Sequence, residues 1–174
     1  MVAGPNGATW WGCRSNVVDS AAPAPGGETM PPDLADIVSM FASMDRTERI
    51  QTLIDMGGKF KPVSPEVAAQ PYPESARVPH CESEAFVFTT PNADGTLKFH
   101  FDVLNPQGIS AKATAVLLDR TLSGAPLAQV VAVPSDVIYE IFGKELSMGK
   151  NMGLTGMINM CKLAASRHLN GSAQ

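Results

Sequence analysis

The chain has 174 residues, and 13 lysine and arginine residues against 17 aspartate and glutamate residues give it a net charge of −4. That length predicts one domain, and a hydrophobic content of 44% is sufficient for a single core. No apolar run approaches the roughly 20 residues that cross a bilayer, and no basic cluster is present. We therefore expect neither a membrane-embedded protein nor a nucleic-acid-binding one.

The three cysteines, Cys13, Cys81 and Cys161, are too few and too widely spaced for a disulfide framework. Their odd number indicates a reducing compartment in which one thiol is chemically active. The expected location is the cytoplasm, with a plastid as the alternative.

Composition divides the chain into three parts. Residues 1–32 are rich in glycine, proline and alanine, which predicts a flexible tail, although Trp10 and Trp11 lie there beside Cys13. Residues 33–169 form the predicted domain, and residues 170–174 form a short C-terminal tail.

Apolar residues at helical spacing predict two helices at the start of the domain. The first begins with Asp33 as its N-cap, and the second runs from Arg46 to Met56, where Gly57-Gly58 ends it. Together they predict a helical hairpin. The expected apolar faces are Leu34, Ile37, Val38 and Phe41 in the first helix, and Ile50, Leu53 and Ile54 in the second.

A β-hairpin is the strongest signal in the middle of the chain. After an extended, proline-bearing loop over residues 61–79, β-prone runs at residues 85–90 and 97–104 flank the turn sequence Asn92-Ala93-Asp94-Gly95. Phe99, Phe101 and Val103 alternate with His100 and Asp102, as in a strand with one buried face.

Helices are predicted for the rest of the domain, at residues 109–122, 127–131, 135–142 and 152–169. The first of these places Ala115, Leu118 and Leu122 on one face. The predicted fold class is therefore α+β, a small antiparallel sheet built on a hairpin and packed with helices from both ends of the chain.

Cys81 is the candidate reactive residue, because it lies where a loop enters a strand. A reactive thiol must be reachable and must form thiolate, which nearby positive charge favours. His80 could supply that charge, whereas Glu82 and Glu84 would oppose it. The alternative, that Cys81 is a small buried side chain, remains open at this point, and Cys161 is expected to be a packed thiol in the last helix.

The sequence supports a metal site or a cysteine hydrolase site less well. Zinc sites use paired ligands such as C-x-x-C, which this sequence lacks, so no metal is expected. A cysteine hydrolase would need His80 or His100 as a base for Cys81. The methionines near the C-terminus, Met148, Met152, Met157 and Met160, fit either a soft core or an adaptable groove.

The order of these features resembles the SufE family, the sulfur-acceptor partners of cysteine desulfurases. The resemblance covers residues 33–169. It depends on the helical hairpin, on Val78-Pro79-His80-Cys81-Glu82-Ser83, on the β-hairpin, and on the closing segment Leu146-Ser147-Met148-Gly149-Lys150-Asn151-Met152-Gly153-Leu154. They are similar to the family's V-x-G-C-x-S-x-V-type loop and closing L-(S/T)-x-(S)-R-x-x-G-(L/F) motif, and the family also has an acidic run at the start of the helix after the hairpin.

Two single residues and one three-residue segment depart from the family pattern. His80 replaces the glycine before the cysteine, Asn105-Pro106-Gln107 replaces an acidic pair, and Lys150 replaces an arginine. A lysine keeps the positive charge but loses the bidentate geometry of a guanidinium group.

The resemblance implies a sulfur relay. Cys81 would take a persulfide from a pyridoxal-phosphate-dependent cysteine desulfurase, stimulate that enzyme, and pass sulfur towards an iron–sulfur scaffold complex. The chain would need no cofactor of its own. Supporting roles would fall to His80, Ser83, Lys112 and Lys150, with Phe86, Met148 and Met152 sheltering the thiol. The alternative is a diverged adaptor that binds a desulfurase without relaying sulfur.

Overall fold

The computed structural model describes residues 29–144 and 146–172, so residues 1–28 of the predicted tail, with Cys13, Trp10 and Trp11, lie outside the described residues. The end of the predicted tail was wrongly assigned as flexible, because Met30 packs against the core and Pro32 begins α1. The elements in chain order are α1 (Pro32–Ser43), α2 (Arg46–Gly58), a 3-10 turn (Glu74–Ala76), β1 (Ala85–Pro91), β2 (Leu97–Val103), α3 (Ile109–Leu122), α4 (Leu127–Val131), α5 (Val137–Phe142) and α6 (Met148–Ser172). This arrangement confirms the predicted α+β class. No helix in the described ranges has both the length and the apolar character to cross a membrane.

The hairpin has the predicted limits to within a residue. Its antiparallel register runs from Ala85 opposite Val103 to Pro91 opposite Leu97. The apolar side of β2 packs against α3, and Phe99 is completely buried. The predicted alternation fails at Asp102, which is only 5% exposed.

Asp102 is buried because two donors satisfy its carboxylate. The Tyr72 hydroxyl donates to Oδ2 at 2.6 Å, and the Val103 N–H donates to Oδ1 at 2.7 Å. The Tyr72 ring also packs on Phe86 and Phe88, each with a centroid distance of 5.0 Å. Burial and the neighbouring Asp102 raise the pKa of Tyr72, which keeps the hydroxyl protonated as a donor. This cluster fastens the long loop before Cys81 to the hairpin.

α1 begins one residue before its predicted N-cap, whereas α2 begins at Arg46 as predicted. α1 begins at Pro32 with Pro31 in the cap position, so Asp33 lies in the first turn and is not the N-cap. Proline suits the first helical position, and a carboxylate there interacts favourably with the helix dipole. α2 has a capping box that the sequence reading missed: Glu48 N–H donates to Asp45 at 2.9 Å, and Asp45 N–H donates to the Glu48 carboxylate at 3.1 Å.

The buried face of α2 is rotated from the predicted one. Leu53 and Met56 are 8% exposed, whereas Ile50 and Ile54 are 48% and 43% exposed. α2 continues to Gly58, and a Cβ atom at Gly57 would lie 3.1 Å from the Ile109 carbonyl oxygen. The absence of a side chain at Gly57 therefore allows α2 to approach α3 closely, and that contact sets the rotation.

α6 begins at Met148, one turn before the predicted start at Met152, and continues through Ser172 into the predicted C-terminal tail. The Ser147 hydroxyl accepts from the Lys150 N–H at 3.4 Å, a bond of the N-cap type. Met157, Ile158 and Cys161 are completely buried, so the prediction of a packed thiol at Cys161 is confirmed. α3 and α4 have the predicted bounds, and α5 begins two residues later than predicted.

We expect Tyr72→Phe to lower the free energy of unfolding by ~1–3 kcal/mol, because it leaves the buried Asp102 carboxylate without its hydroxyl donor. Urea denaturation measures this loss. Tyr139→Phe is the matched control, since the Tyr139 hydroxyl accepts from Asn151 at 2.6 Å at an exposed site. Equal losses in the two variants would contradict the importance assigned to the buried bond.

Candidate functional site: the Cys81 loop

Cys81 lies in a short loop that is closed at its base by backbone pairing. Arg77 forms an antiparallel bridge with Phe86, and the Val78 N–H donates to the Ala85 carbonyl at 2.8 Å. Residues 79–84 therefore form a narrow loop between the paired residues Val78 and Ala85, just before β1. Within it, the Glu84 N–H donates to the Cys81 carbonyl at 3.1 Å.

Two residues of this loop have left-handed backbone conformations. His80 has φ +56° and Glu84 has φ +49°, one on each side of the cysteine segment. Side chains with a Cβ atom disfavour this region, although histidine is found there more often than most. The glycine expected before the cysteine in SufE-like sequences would meet the same conformation without this cost.

One side of the loop is attached to the segment that follows β2. The Leu104 N–H donates to the Glu84 carbonyl and the Asn105 N–H donates to the Ser83 carbonyl, both at 3.2 Å. A Cβ atom at Gly108 would lie 2.9 Å from the Ser83 side chain, so that side chain packs directly on the Gly108 backbone. Ser83 is thereby held between the loop and the start of α3.

The other side of the loop rests on the glycine face of α6, which comprises Gly149, Gly153 and Gly156. A Cβ atom at Gly153 would lie 3.1 Å from both the Cα and Sγ atoms of Cys81, and one at Gly156 would lie 2.9 Å from the Val78 side chain. A Cβ atom at Gly149 would overlap the Glu82 carboxylate. The loop therefore runs antiparallel to α6 and in direct contact with its backbone.

Cys81 opens onto a cavity of about 400 Å³, here called the Cys81 cavity. The thiol residue is half-buried. The cavity lies between the loop, the segment before α3 and the first two turns of α6. Its polar lining residues are Glu82, Ser83, Asn105, Gln107, Ser110 and Lys150.

The structure brings Ser83 and Lys150 to the cavity with Cys81, but it separates other predicted site residues from it. His80 is exposed and faces a neighbouring groove, although it shares with Cys81 a further cavity of about 470 Å³ beside Arg77. The Lys112 ammonium donates to the Pro106 carbonyl at 2.8 Å. Lys112 thus fastens the segment that walls the cavity and does not line the cavity itself.

The predicted shelter of Phe86, Met148 and Met152 differs from the observed surroundings. Phe86 is buried against Tyr72, Met148 is 79% exposed, and Met152 lines the neighbouring groove. The surface that partly covers Cys81 is the Gly153 backbone, and Leu154 lines the same cavity. The Gly153 backbone approaches Cys81 more closely than a residue with a bulky side chain could.

The neighbouring groove runs along α6 on the outer side of the loop and has a volume of about 460 Å³. Pro79 and His80 form one wall, and Met152, Met160 and Leu163 form much of the other. The predicted alternatives for the methionines therefore both apply, because Met157 is a core residue and Met152 belongs to this groove.

His100 is not placed to act as a base for Cys81. It pairs with Phe88 across the hairpin, its Nε2 lies 3.0 Å from the Thr90 hydroxyl, and it lines a different cavity. Burial, and then the charge of Lys98, lower the pKa of His100. Among residues 29–144 and 146–172, no three histidine, cysteine or acidic side chains converge to hold a metal ion.

The cysteines that the structure describes differ in environment. Cys161 is completely buried in α6, and burial raises the pKa of its thiol, which disfavours the reactive thiolate. Cys81 borders a cavity. Sequence reasoning missed the glycine contacts that hold it there, although their spacing of four and then three residues was visible in the sequence and is that of one helix face.

We expect His80→Gly to be more stable than His80→Ala by about 1 kcal/mol, because both variants remove the imidazole but only glycine relieves the left-handed backbone conformation. Urea denaturation of both proteins measures the difference. Equal stability would show that the loop relaxes freely from φ +56°.

Gly153→Ala is expected to displace Cys81 from α6 and to speed its alkylation by iodoacetamide severalfold. The added methyl group costs ~1–3 kcal/mol by overpacking, against a gain of about 1 kcal/mol in helix propensity. Peptide-resolved mass spectrometry measures alkylation at Cys81 alone. Gly58→Ala is the control, because its Cβ atom would meet nothing within 4 Å; an unchanged rate in Gly153→Ala would contradict the proposed contact.

Comparison with known proteins places this site in a family context. A family profile described as "SufE: Fe-S metabolism associated domain" matches residues 35–165. An uncharacterized SufE-like protein of Mycobacterium tuberculosis, found in two strains, is 26% identical over 113 residues, which cover 65% of this chain and 76% of the relative. The solution structure of a hypothetical protein from Thermus thermophilus has a TM-score of 0.64 at 25% identity, covering 82% of this chain and 99% of that one. The chain belongs to the SufE family, whose domain is associated with Fe–S metabolism.

Proposed function

We propose that Cys81 accepts sulfur from a persulfide on a pyridoxal-phosphate-dependent cysteine desulfurase, stimulates that enzyme, and passes the sulfur to an iron–sulfur scaffold complex. The observation that carries the proposal is the half-buried Cys81 thiol, presented on a hydrogen-bonded loop at the mouth of a cavity. Membership of the SufE family supports the link to Fe–S metabolism.

The proposed step is a thiol exchange at sulfur. The Cys81 thiolate attacks the outer sulfur of the donor persulfide, and a new S–S bond forms on Cys81. The S–S bond within the donor breaks, and the donor cysteine leaves with the electron pair as a thiolate. One disulfide-type bond is exchanged for another, so no oxidant or reductant is required.

The surroundings of Cys81 suit this reaction in two ways. The loop is fixed at its base by the Val78–Ala85 bond and along one side by the bonds to residues 104–105, which orients the thiol. Lys150 lines the same cavity and brings a positive charge for an attacking thiolate or a bound persulfide anion, against the negative charge of Glu82 in the same lining. The Gly153 backbone covers one side of the sulfur, so attack would occur from the open cavity.

The accessibility of the Cys81 cavity favours a protein as the sulfur donor. The cavity is open to solvent and lies beside the exposed residues His80 and Glu82, so a partner cysteine on a protruding loop could reach the thiol. The pyridoxal phosphate would belong to that partner and would perform the carbon–sulfur cleavage. The residues of this chain would hold and transfer the released sulfur.

The test is incubation of the full chain with a purified cysteine desulfurase and cysteine, followed by mass spectrometry and a sulfide assay. We expect the mass of one sulfur atom to be added at Cys81, together with faster cysteine turnover. Cys81→Ser should lose both effects, because a hydroxyl cannot accept the sulfur under these conditions.

Cys161→Ala is the matched control, because it removes a completely buried thiol and should leave the Cys81 adduct intact. Binding of the desulfurase without an adduct or stimulation would overturn the relay and favour the adaptor function. The segment Asn105-Pro106-Gln107, which brings no carboxylate to the cavity wall, is the observation that makes the adaptor worth testing.

A further inference from the structure

A second cavity lies towards the opposite end of α3 from Cys81. It has a volume of about 340 Å³ and is formed by residues 59–64, the middle of β2 and the C-terminal half of α3. Ser110 lines the Cys81 cavity, whereas Asp119 lines this one. At about 1.5 Å rise per residue, these positions lie ~13 Å apart along the helix axis, so the two cavities are separate sites.

Three positively charged side chains line this second cavity, here called the basic cavity. Lys59, Lys61 and Arg120 line it, all three are exposed, and none forms an ion pair or a side-chain hydrogen bond with another described residue. Its one lining carboxylate, Asp119, already accepts from Lys98 and from the Ser123 hydroxyl. Three cations without an ion-pair partner among the described residues therefore border a single cavity in a chain whose net charge is −4.

The walls between these cations are apolar. Phe60 and Val116 are half-buried and line the cavity, so each presents part of its hydrophobic surface to it. Small-molecule sites commonly combine such walls with a few polar groups in a volume of ~300–1,000 Å³. The basic cavity falls at the small end of that range.

We propose that the basic cavity binds a small organic anion, with its apolar body against Phe60 and Val116 and its carboxylate or phosphate group among Lys59, Lys61 and Arg120. A bound anion would offset the mutual repulsion of the three cations. The Arg120 guanidinium can donate two parallel hydrogen bonds to either acid group. This site does not depend on sulfur transfer at Cys81.

The concave shape favours a small molecule over an acidic protein segment. The cations lie around one concave pocket that is bordered by residues 59–64, β2 and α3, whereas an extended acidic chain would be matched by charges spread along an open surface. The ligand's acid group and its apolar body are therefore both required for binding.

The experiment is an NMR titration of the ¹⁵N-labelled full chain with benzoate, phenyl phosphate, inorganic phosphate and the neutral analogue benzamide. We expect benzoate or phenyl phosphate to cause saturable shifts at residues 59–64, 99–101 and 115–120. Tighter binding of phenyl phosphate than of benzoate would identify a phosphate ligand, and the reverse order a carboxylate. Inorganic phosphate and benzamide should both bind at least about tenfold more weakly than the preferred aromatic anion.

The double substitution Lys61→Gln and Arg120→Gln should weaken binding at least about tenfold, because it removes two charge-assisted contacts from an exposed rim without disturbing the core. The matched control is Lys144→Gln with Arg167→Gln, which makes the same charge change at exposed positions elsewhere and should leave the affinity unchanged. The proposal is overturned if benzamide binds equally well, if the control weakens binding as much, or if neither benzoate nor phenyl phosphate causes saturable shifts at these residues.

Discussion

The position of Cys81 depends on one packing constraint, the direct contact of its loop with the glycine face of α6. Gly149, Gly153 and Gly156 project no side chains, so the Cys81 backbone can approach the helix to a distance at which a Cβ atom on Gly153 would be crowded. The contact covers one side of the thiol and leaves the other side open to a cavity. The contact with the glycine face of α6 therefore both supports the Cys81 sulfur and leaves it accessible from the cavity. A larger residue on this face would change both.

The rest of the fold fixes the loop from the opposite side. The hairpin closes its base, the residues after β2 bond to Ser83 and Glu84, and the Tyr72–Asp102 pair holds the preceding loop. With these attachments in place, the left-handed conformation of His80 persists despite its cost. A loop held in this way can present a nucleophile with little loss of conformational freedom during reaction, which suits the sulfur transfer proposed for it.

Much of the fold could be predicted from local pattern, because alternation and helical spacing report directly on buried faces. The hairpin, α3 and the packed Cys161 follow from such patterns. Predictions failed where a partner element decided the outcome. The apolar residues of α2 allowed two faces, and the close contact of Gly57 with Ile109 selected the one that leaves Ile50 exposed. The alternation in β2 placed Asp102 on the exposed face, but the structure buries it because the Tyr72 hydroxyl donates to its carboxylate.

For the site, the sequence by itself determined the candidate residue: a thiol at the entrance to a strand, in an order of motifs similar to that of the SufE family. Only the tertiary structure decided which residues surround that thiol. Lys150 and Lys112 looked equivalent as cations in the sequence, yet one lines the cavity and the other bonds to Pro106. The sequence specifies which residues are covalent neighbours and how motifs are spaced. Contacts between residues far apart in sequence depend on how closely the helices and loops of the chain can approach one another.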